Sequence, residues 1–122
     1  MNLKDIIDLT GHWLDHLAFK GHPFARKPLE LAIRLGEEVI ELGQVEGMTR
    51  EQWYALVDQV YAKPPGERDQ ELGGVVVCLT SYCYVTGQDP ETAWLREYKR
   101  VLDPDVQSRI RDKHSRKLVV SG

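Results

Sequence analysis

The sequence has few of the features that mark secreted or membrane-spanning proteins. Its two cysteines, Cys78 and Cys83, are five positions apart, so on a helix their side chains would point about 140° apart and would be poorly placed to bridge. No apolar run reaches the roughly 18 residues of a membrane span. Asp5, Asp8 and Asp15 near the start argue against a secretory signal. These absences predict a cytoplasmic protein with reduced thiols and no membrane partner.

Internal repeats and low-complexity segments are also lacking, which excludes repeat arrays. The 122 residues are 42% hydrophobic and 29% charged, a composition typical of one folded domain spanning residues 1–122. The net charge of −3 is unevenly spread, since residues 1–95 carry 8 basic and 15 acidic side chains and residues 96–122 carry 8 and 4. An acidic body with a basic end fits nucleic acid, or a site that holds metal with one part and phosphate with the other.

Apolar periodicity and helix-end residues predict an all-α chain. Thr49 and Gln52 resemble a capping box, Pro28 and Pro90 suit first turns, and Gly87 suits a helix end. The predicted helices cover residues 3–18, 28–45, the stretch from the Thr49 cap to about 61, 67–86, a segment starting at 89–90, and a basic C-terminal helix at about 104–117. Residues 75–85 are rich in β-branched and aromatic side chains, but their length and flanks favour helix over strand.

Three glutamates stand in an otherwise apolar stretch of the second helix. On a wheel with 100° per residue, Glu41 lies about 40° and Glu38 about 100° from Glu37, with apolar positions on both flanks. Most Glu-rich helix faces are simply solvated. Here, however, like charges four residues apart destabilise the helix, and carboxylates close to packed neighbours repel unless a cation compensates. Because Mg²⁺ prefers oxygen ligands, the stripe predicts a metal site, and Glu71 of the fourth helix is the candidate ligand on the opposite side.

The half-motifs "EEVIEL" (37–42) and "ELGGV" (71–75) resemble the MazG-like, all-α nucleotide pyrophosphohydrolases, whose signature is EExxE followed by ExxD. The resemblance covers most of the chain, and the Asp of ExxD falls on Gly74. It implies a four-helix core completed by dimerisation or tetramerisation. It also implies hydrolysis of a nucleoside triphosphate between the α- and β-phosphates with Mg²⁺, for which Mn²⁺ can substitute.

The resemblance also implies roles for individual side chains. The implied metal ligands are Glu37, Glu38, Glu41 and Glu71, and Glu38 or Glu41 is the candidate general base. The candidate phosphate contacts are Lys113, Arg116 and Lys117 of the last helix and Lys20, Arg26 and Lys27 of the first loop, although a solvated helix end explains the first group equally well. The candidate base contacts are His12, Trp13 and His16 with Phe24, and core packing is the alternative for Trp13 and Phe24. Core or subunit interface is the expected place of Tyr82, Tyr84 and Trp94.

The motifs and the charge distribution predict two alternative functions and disfavour a third. The first is a Mg²⁺-dependent pyrophosphohydrolase that cleanses or adjusts nucleotide pools. The second is a nucleotide- or metal-binding or interaction module with weak or no catalysis, because Gly74 lacks the carboxylate of ExxD. A nucleic-acid binder is disfavoured because the net charge is negative and the basic end lacks interleaved aromatic residues.

Overall fold

The structure is a computed structural model that describes residues 1–18 and 27–121, with side chains described for residues 1–17 and 27–113. Helix α1 spans Leu3–Trp13 and continues into a π-helical turn, Leu14–Ala18. The other helices are α2 (Pro28–Val45), α3 (Arg50–Tyr61), α4 (Arg68–Thr86), α5 (Pro90–Val101) and α6 (Pro104–Ser121). The described ranges contain no strand, so the all-α prediction is confirmed, and residues 75–85 are helical as predicted.

The helix ends are fixed by local chemistry. At α3 the Thr49 hydroxyl accepts a hydrogen bond from the Gln52 amide at 3.1 Å, and the Gln52 side chain accepts one from the Thr49 amide at 2.8 Å. Helix α4 ends at Gly87, whose φ of 69° is the left-handed conformation that favours glycine. Both ends were predicted, because each depends on residues within one turn.

Contacts divide the chain into two compact units, residues 1–37 with 94–122 and residues 38–93. The prediction of one domain over residues 1–122 stays a prediction beside this division. In the first unit Trp13, Val101 and Val106 are buried together, and the Trp13 indole Nε1 donates to the Val101 carbonyl at 2.9 Å. The residues packed against this cluster are Leu14, Leu17, Tyr98 and Ile110. The end of α1 is thereby tied to the end of α5 and the start of α6.

The second unit, described by itself, leaves α4 largely uncovered. Of the described α4 side chains only Cys83 is buried. The exposed large hydrophobic residues of this helix are Leu72, Val75, Val76, Val77, Leu79, Tyr84 and Val85. Despite this apolar character, no helix in the described part of the chain is long and apolar enough to cross a membrane.

Helices α2 and α3 approach closely at Gly43, and this contact gives a prediction about stability. A methyl group at position 43 would overlap the Trp53 indole, whereas one at Gly36 on the same helix meets nothing within 4 Å. Alanine gains roughly 1 kcal/mol over glycine inside a helix, but overpacking costs about 1–3 kcal/mol. We expect Gly36→Ala to raise the Tm by roughly 4 °C and Gly43→Ala to lower it. Equal changes in Tm for the two variants would contradict this expectation, because they would show that the Trp53 side chain moves aside without cost.

Candidate functional site

The predicted acidic stripe lies on α2, where Glu38 and Glu41 are exposed and Glu37 is half-buried. Glu38 and Glu41 are three residues apart, so their side chains leave neighbouring positions of the helix surface about 4.5 Å apart along its axis. Water and ions can therefore reach both carboxylates. Mg²⁺ is commonly bound in proteins by one or two carboxylates together with substrate phosphates and water. The donor set of the stripe fits that ion.

Glu71 stands in the first turn of α4 and faces the α3–α4 loop. Its Oε1 lies against Gly66, only 2.7 Å from where a Cβ on that glycine would be. Residues 60–68 and Glu71 line an open cleft of about 940 Å³. The cleft brings the cationic side chains Lys63 and Arg68 to the same recess as Glu71. Sequence reasoning missed these two cations, although both flank "PPGE" immediately before the second half-motif.

A hydrogen bond links the turn that follows α2 to α4 within the second unit. The Tyr82 hydroxyl donates to the Glu46 carboxylate at 3.1 Å. Desolvation, with the hydrogen bond to Glu46 and its negative charge, raises the pKa of the Tyr82 phenol. At 1.5 Å per residue, Glu41 lies about 6 Å before Val45, the last residue of α2, and Glu71 lies about 16.5 Å before Tyr82 along α4. The bond therefore joins the turn that follows α2 to the C-terminal part of α4.

The four glutamates of the predicted metal site do not form a closed cage in the described chain. Among the described residues, no group of three or more His, Cys, Asp or Glu side chains is arranged to hold a metal ion. Glu38 and Glu41 are brought together by α2, while Glu71 lies at the α3–α4 cleft. The metal assignments stay predictions, and a substrate's phosphates or a second chain would have to complete the coordination.

Gly74, which replaces the Asp of ExxD, has open space around it. A Cβ at this position meets nothing within 4 Å, and the same holds for Gly73. Packing within the described chain therefore does not require glycine at position 74.

The predicted base contacts fall into two environments. Trp13 is 8% exposed and belongs to the core of the first unit. His12 and His16 are exposed, and their ring centroids are 4.8 Å apart. Phe24 lies outside the described residues. Only the two histidines are open to a ligand in the described structure, and the base-binding role of all three residues stays a prediction.

The predicted phosphate contacts are only partly described. Lys113 is exposed on α6. Lys27 is exposed and lies 3.9 Å from the carboxylate of Glu30, which is only 6% exposed. The side chains of Arg116 and Lys117, and the residues Lys20 and Arg26, lie outside the described part of the chain.

Two of the three aromatic residues expected in the core or an interface are packed. Trp94 stacks on Tyr98 with ring centroids 4.7 Å apart, and its Nε1 donates to the Thr10 hydroxyl at 3.2 Å. Tyr82 is half-buried and bonded to Glu46, whereas Tyr84 is 89% exposed on α4.

Comparisons of the chain with protein-family models, with curated proteins and with solved structures found no match. Membership of the MazG-like family therefore stays a prediction from the two half-motifs and the order of the helices.

Proposed function

We propose that the protein is a Mg²⁺-dependent nucleoside triphosphate pyrophosphohydrolase, which releases pyrophosphate and a nucleoside monophosphate. The observation that carries the proposal is the pairing of Glu38 and Glu41, two exposed carboxylates in a mostly apolar stretch of α2. Glu46, the residue that follows that helix, accepts a hydrogen bond from Tyr82 of α4, the helix that carries Glu71. Glu38, Glu41 and Glu71 belong to the second unit, whereas Glu37 belongs to the first.

In this proposal the glutamates bind the metal ion, and one of them also accepts a proton. A bound Mg²⁺ supplies charge neutralisation for the phosphoryl group and its leaving pyrophosphate. Glu37, Glu38, Glu41 and Glu71 are the residues that would hold it. One exposed carboxylate, Glu38 or Glu41, accepts the proton of the attacking water, for which it needs access to solvent and a position within hydrogen-bond reach. Both residues meet the first requirement in the described structure.

Cationic side chains would meet the outer phosphates. Lys63 and Arg68 line the cleft that also contains Glu71, so they are the candidates within the second unit. The phosphate contacts predicted from sequence, Lys27, Lys113, Arg116 and Lys117, stay predictions. Arginine suits phosphate oxygens because its guanidinium donates two parallel hydrogen bonds, whereas lysine acts as a point charge.

The proposal includes a four-helix core completed by further copies of the chain, as a homodimer or homotetramer. The largely uncovered α4 supports this part, because apolar side chains around a whole helix require burial on more than one side. Assembly would also supply further Mg²⁺ ligands if a second chain placed its own carboxylates beside the stripe.

A screen of standard and modified nucleoside and deoxynucleoside triphosphates with Mg²⁺, read out as pyrophosphate, tests the proposal. We expect pyrophosphate from at least one of them, and none when EDTA is present. The second candidate, a nucleotide- or metal-binding module, is favoured by the absence of a carboxylate at Gly74. It predicts no product from any triphosphate while Mg²⁺ still raises the melting temperature.

Gly74 allows a gain-of-function prediction. Gly74 follows Glu71 by three residues and shares its side of the helix, whereas Gly73 follows by two and points elsewhere. Both positions have room for a side chain. We expect Gly74→Asp to restore ExxD, tighten Mg²⁺ binding by roughly tenfold and speed hydrolysis, because it adds a carboxylate ligand.

Gly73→Asp is the matched control, since it adds the same charge to the same turn on another side. Isothermal titration with Mg²⁺ compares the two variants, and circular dichroism checks that both are helical. A folded Gly74→Asp protein with unchanged or weaker Mg²⁺ affinity would mean that position 74 does not face the metal.

A further inference from the structure

Two histidines lie side by side where α1 passes into the π-helical turn. His12 is in the last turn of α1, and His16 is in the turn Leu14–Ala18. Their ring centroids are 4.8 Å apart, with the ring planes inclined at 43°. Both rings are exposed, so solvent and ions reach them. π-Helical turns are rare and often occur at functional sites.

Apolar residues between and next to the histidines anchor this segment. Trp13 is buried, and its Nε1 is bonded to the Val101 carbonyl at 2.9 Å. Leu14 and Leu17 pack against the same cluster. Because these apolar residues pack in the core, the backbone that carries His12 and His16 is held in place. A ligand that binds both rings therefore costs little ordering of the backbone.

The chemistry of paired imidazoles selects a particular class of ligand. Neutral imidazole nitrogens are good ligands for Zn²⁺, Cu²⁺ and Ni²⁺, whereas Mg²⁺ prefers oxygen. Metal–nitrogen bonds are about 2.0–2.1 Å long for zinc, so two rings already in contact can each turn one nitrogen towards a shared ion. The carboxylate one turn earlier, Asp8, is engaged by Lys4 at 3.0 Å. The two imidazoles thus define the site, and water would fill the remaining positions.

We propose that His12 and His16 form a two-histidine site for a late first-row transition-metal ion, chemically distinct from the carboxylate site proposed for Mg²⁺. Its expected preference follows the general order for nitrogen ligands, with Cu²⁺ bound more tightly than Ni²⁺ or Zn²⁺. Metal binding at this site needs no nucleotide, so this proposal can be tested independently of the hydrolase proposal.

Titration with Cu²⁺ alone, followed by calorimetry and by electron paramagnetic resonance, tests the site. We expect one Cu²⁺ bound with two equatorial nitrogens, and no displacement by a large excess of Mg²⁺. His12→Ala or His16→Ala should each weaken binding by at least ~10-fold and reduce the nitrogen count to one, since even the loss of a supporting residue costs that much in metal sites. Alanine is well tolerated at exposed helical positions, and circular dichroism verifies the fold.

His22→Ala and His114→Ala are the matched controls, because they remove the other two histidines of the chain. Both controls should bind Cu²⁺ like the unaltered protein. The proposal is overturned if His12→Ala and His16→Ala bind Cu²⁺ normally, or if either control causes the larger loss.

Discussion

Glu38→Gln and Glu41→Gln will each lower pyrophosphate release by removing an assigned Mg²⁺ ligand, and the one that also removes the general base will lower it by roughly 10²–10⁴-fold. Glutamine keeps the size of the side chain but has no negative charge and cannot accept the proton of the attacking water. Both glutamates are exposed, so the substitutions leave the described packing unchanged. The variant with the larger fall in kcat identifies the base.

The same variants should lose the stabilisation that Mg²⁺ gives to the unaltered protein. An ion that binds only the folded state raises the melting temperature by mass action, and removing a ligand removes most of that shift. Without metal, each variant should melt at or above the unaltered protein, because repulsion within the stripe is relieved.

Glu51→Gln is the matched control, since it removes an exposed carboxylate from the first turn of α3, outside the stripe. It should hydrolyse and respond to Mg²⁺ normally. If Mg²⁺ raises the melting temperature of both stripe variants as much as that of the unaltered protein, the assigned metal site is wrong.

The second large effect concerns assembly. The described side chains of α4 include seven exposed large hydrophobic residues, and only Cys83 of this helix is buried. Exposed apolar surface of this kind marks an interaction site. We therefore expect light scattering to give a mass of two or four chains at micromolar concentration.

A charge placed on the exposed apolar surface of α4 should break this assembly. Val77 is 63% exposed in the single chain. Val77→Lys would bury an unpaired ammonium in the interface, which costs several kcal/mol and should weaken association by at least ~100-fold. Gln70→Lys is the matched control, because it adds the same charge at a polar position of the same helix.

Analytical ultracentrifugation of the three proteins measures the effect. The control should retain the mass of the unaltered protein while Val77→Lys dissociates. A mass near 14.0 kDa for the unaltered protein would contradict the expected oligomer.

Features that depend on neighbouring residues were predicted well from the sequence. Helix α2 begins at Pro28 and ends at Val45 as expected, because proline and the residues around Gly47 act within one turn. The capping box at Thr49 is present for the same reason. The last helix extends to Ser121, beyond the predicted end at about 117, where no glycine or proline marks a boundary.

Features that depend on contacts distant in sequence were not predicted. The Tyr82–Glu46 bond joins residues 36 positions apart, and Trp13 reaches Val101 across 88 positions. The cleft that places Lys63 and Arg68 beside Glu71 is local in sequence, but it depends on the path of the α3–α4 loop, which periodicity does not describe. Periodicity reports which residues share a helix face, but it does not report which faces meet. The acidic stripe could therefore be found from sequence, while the position of Glu71 relative to it could not.

The central claim is that the chain cleaves a nucleoside triphosphate between the α- and β-phosphates, and phosphorus-31 magnetic resonance tests it most directly. The unaltered protein is incubated with Mg²⁺ and the triphosphate that yields most pyrophosphate in the screen, with Glu41→Gln as the comparison. Resonances of pyrophosphate and nucleoside monophosphate should grow together in equal amounts, and neither should grow with Glu41→Gln. Orthophosphate with nucleoside diphosphate, or product formation that is equal in the two proteins, would contradict the claim.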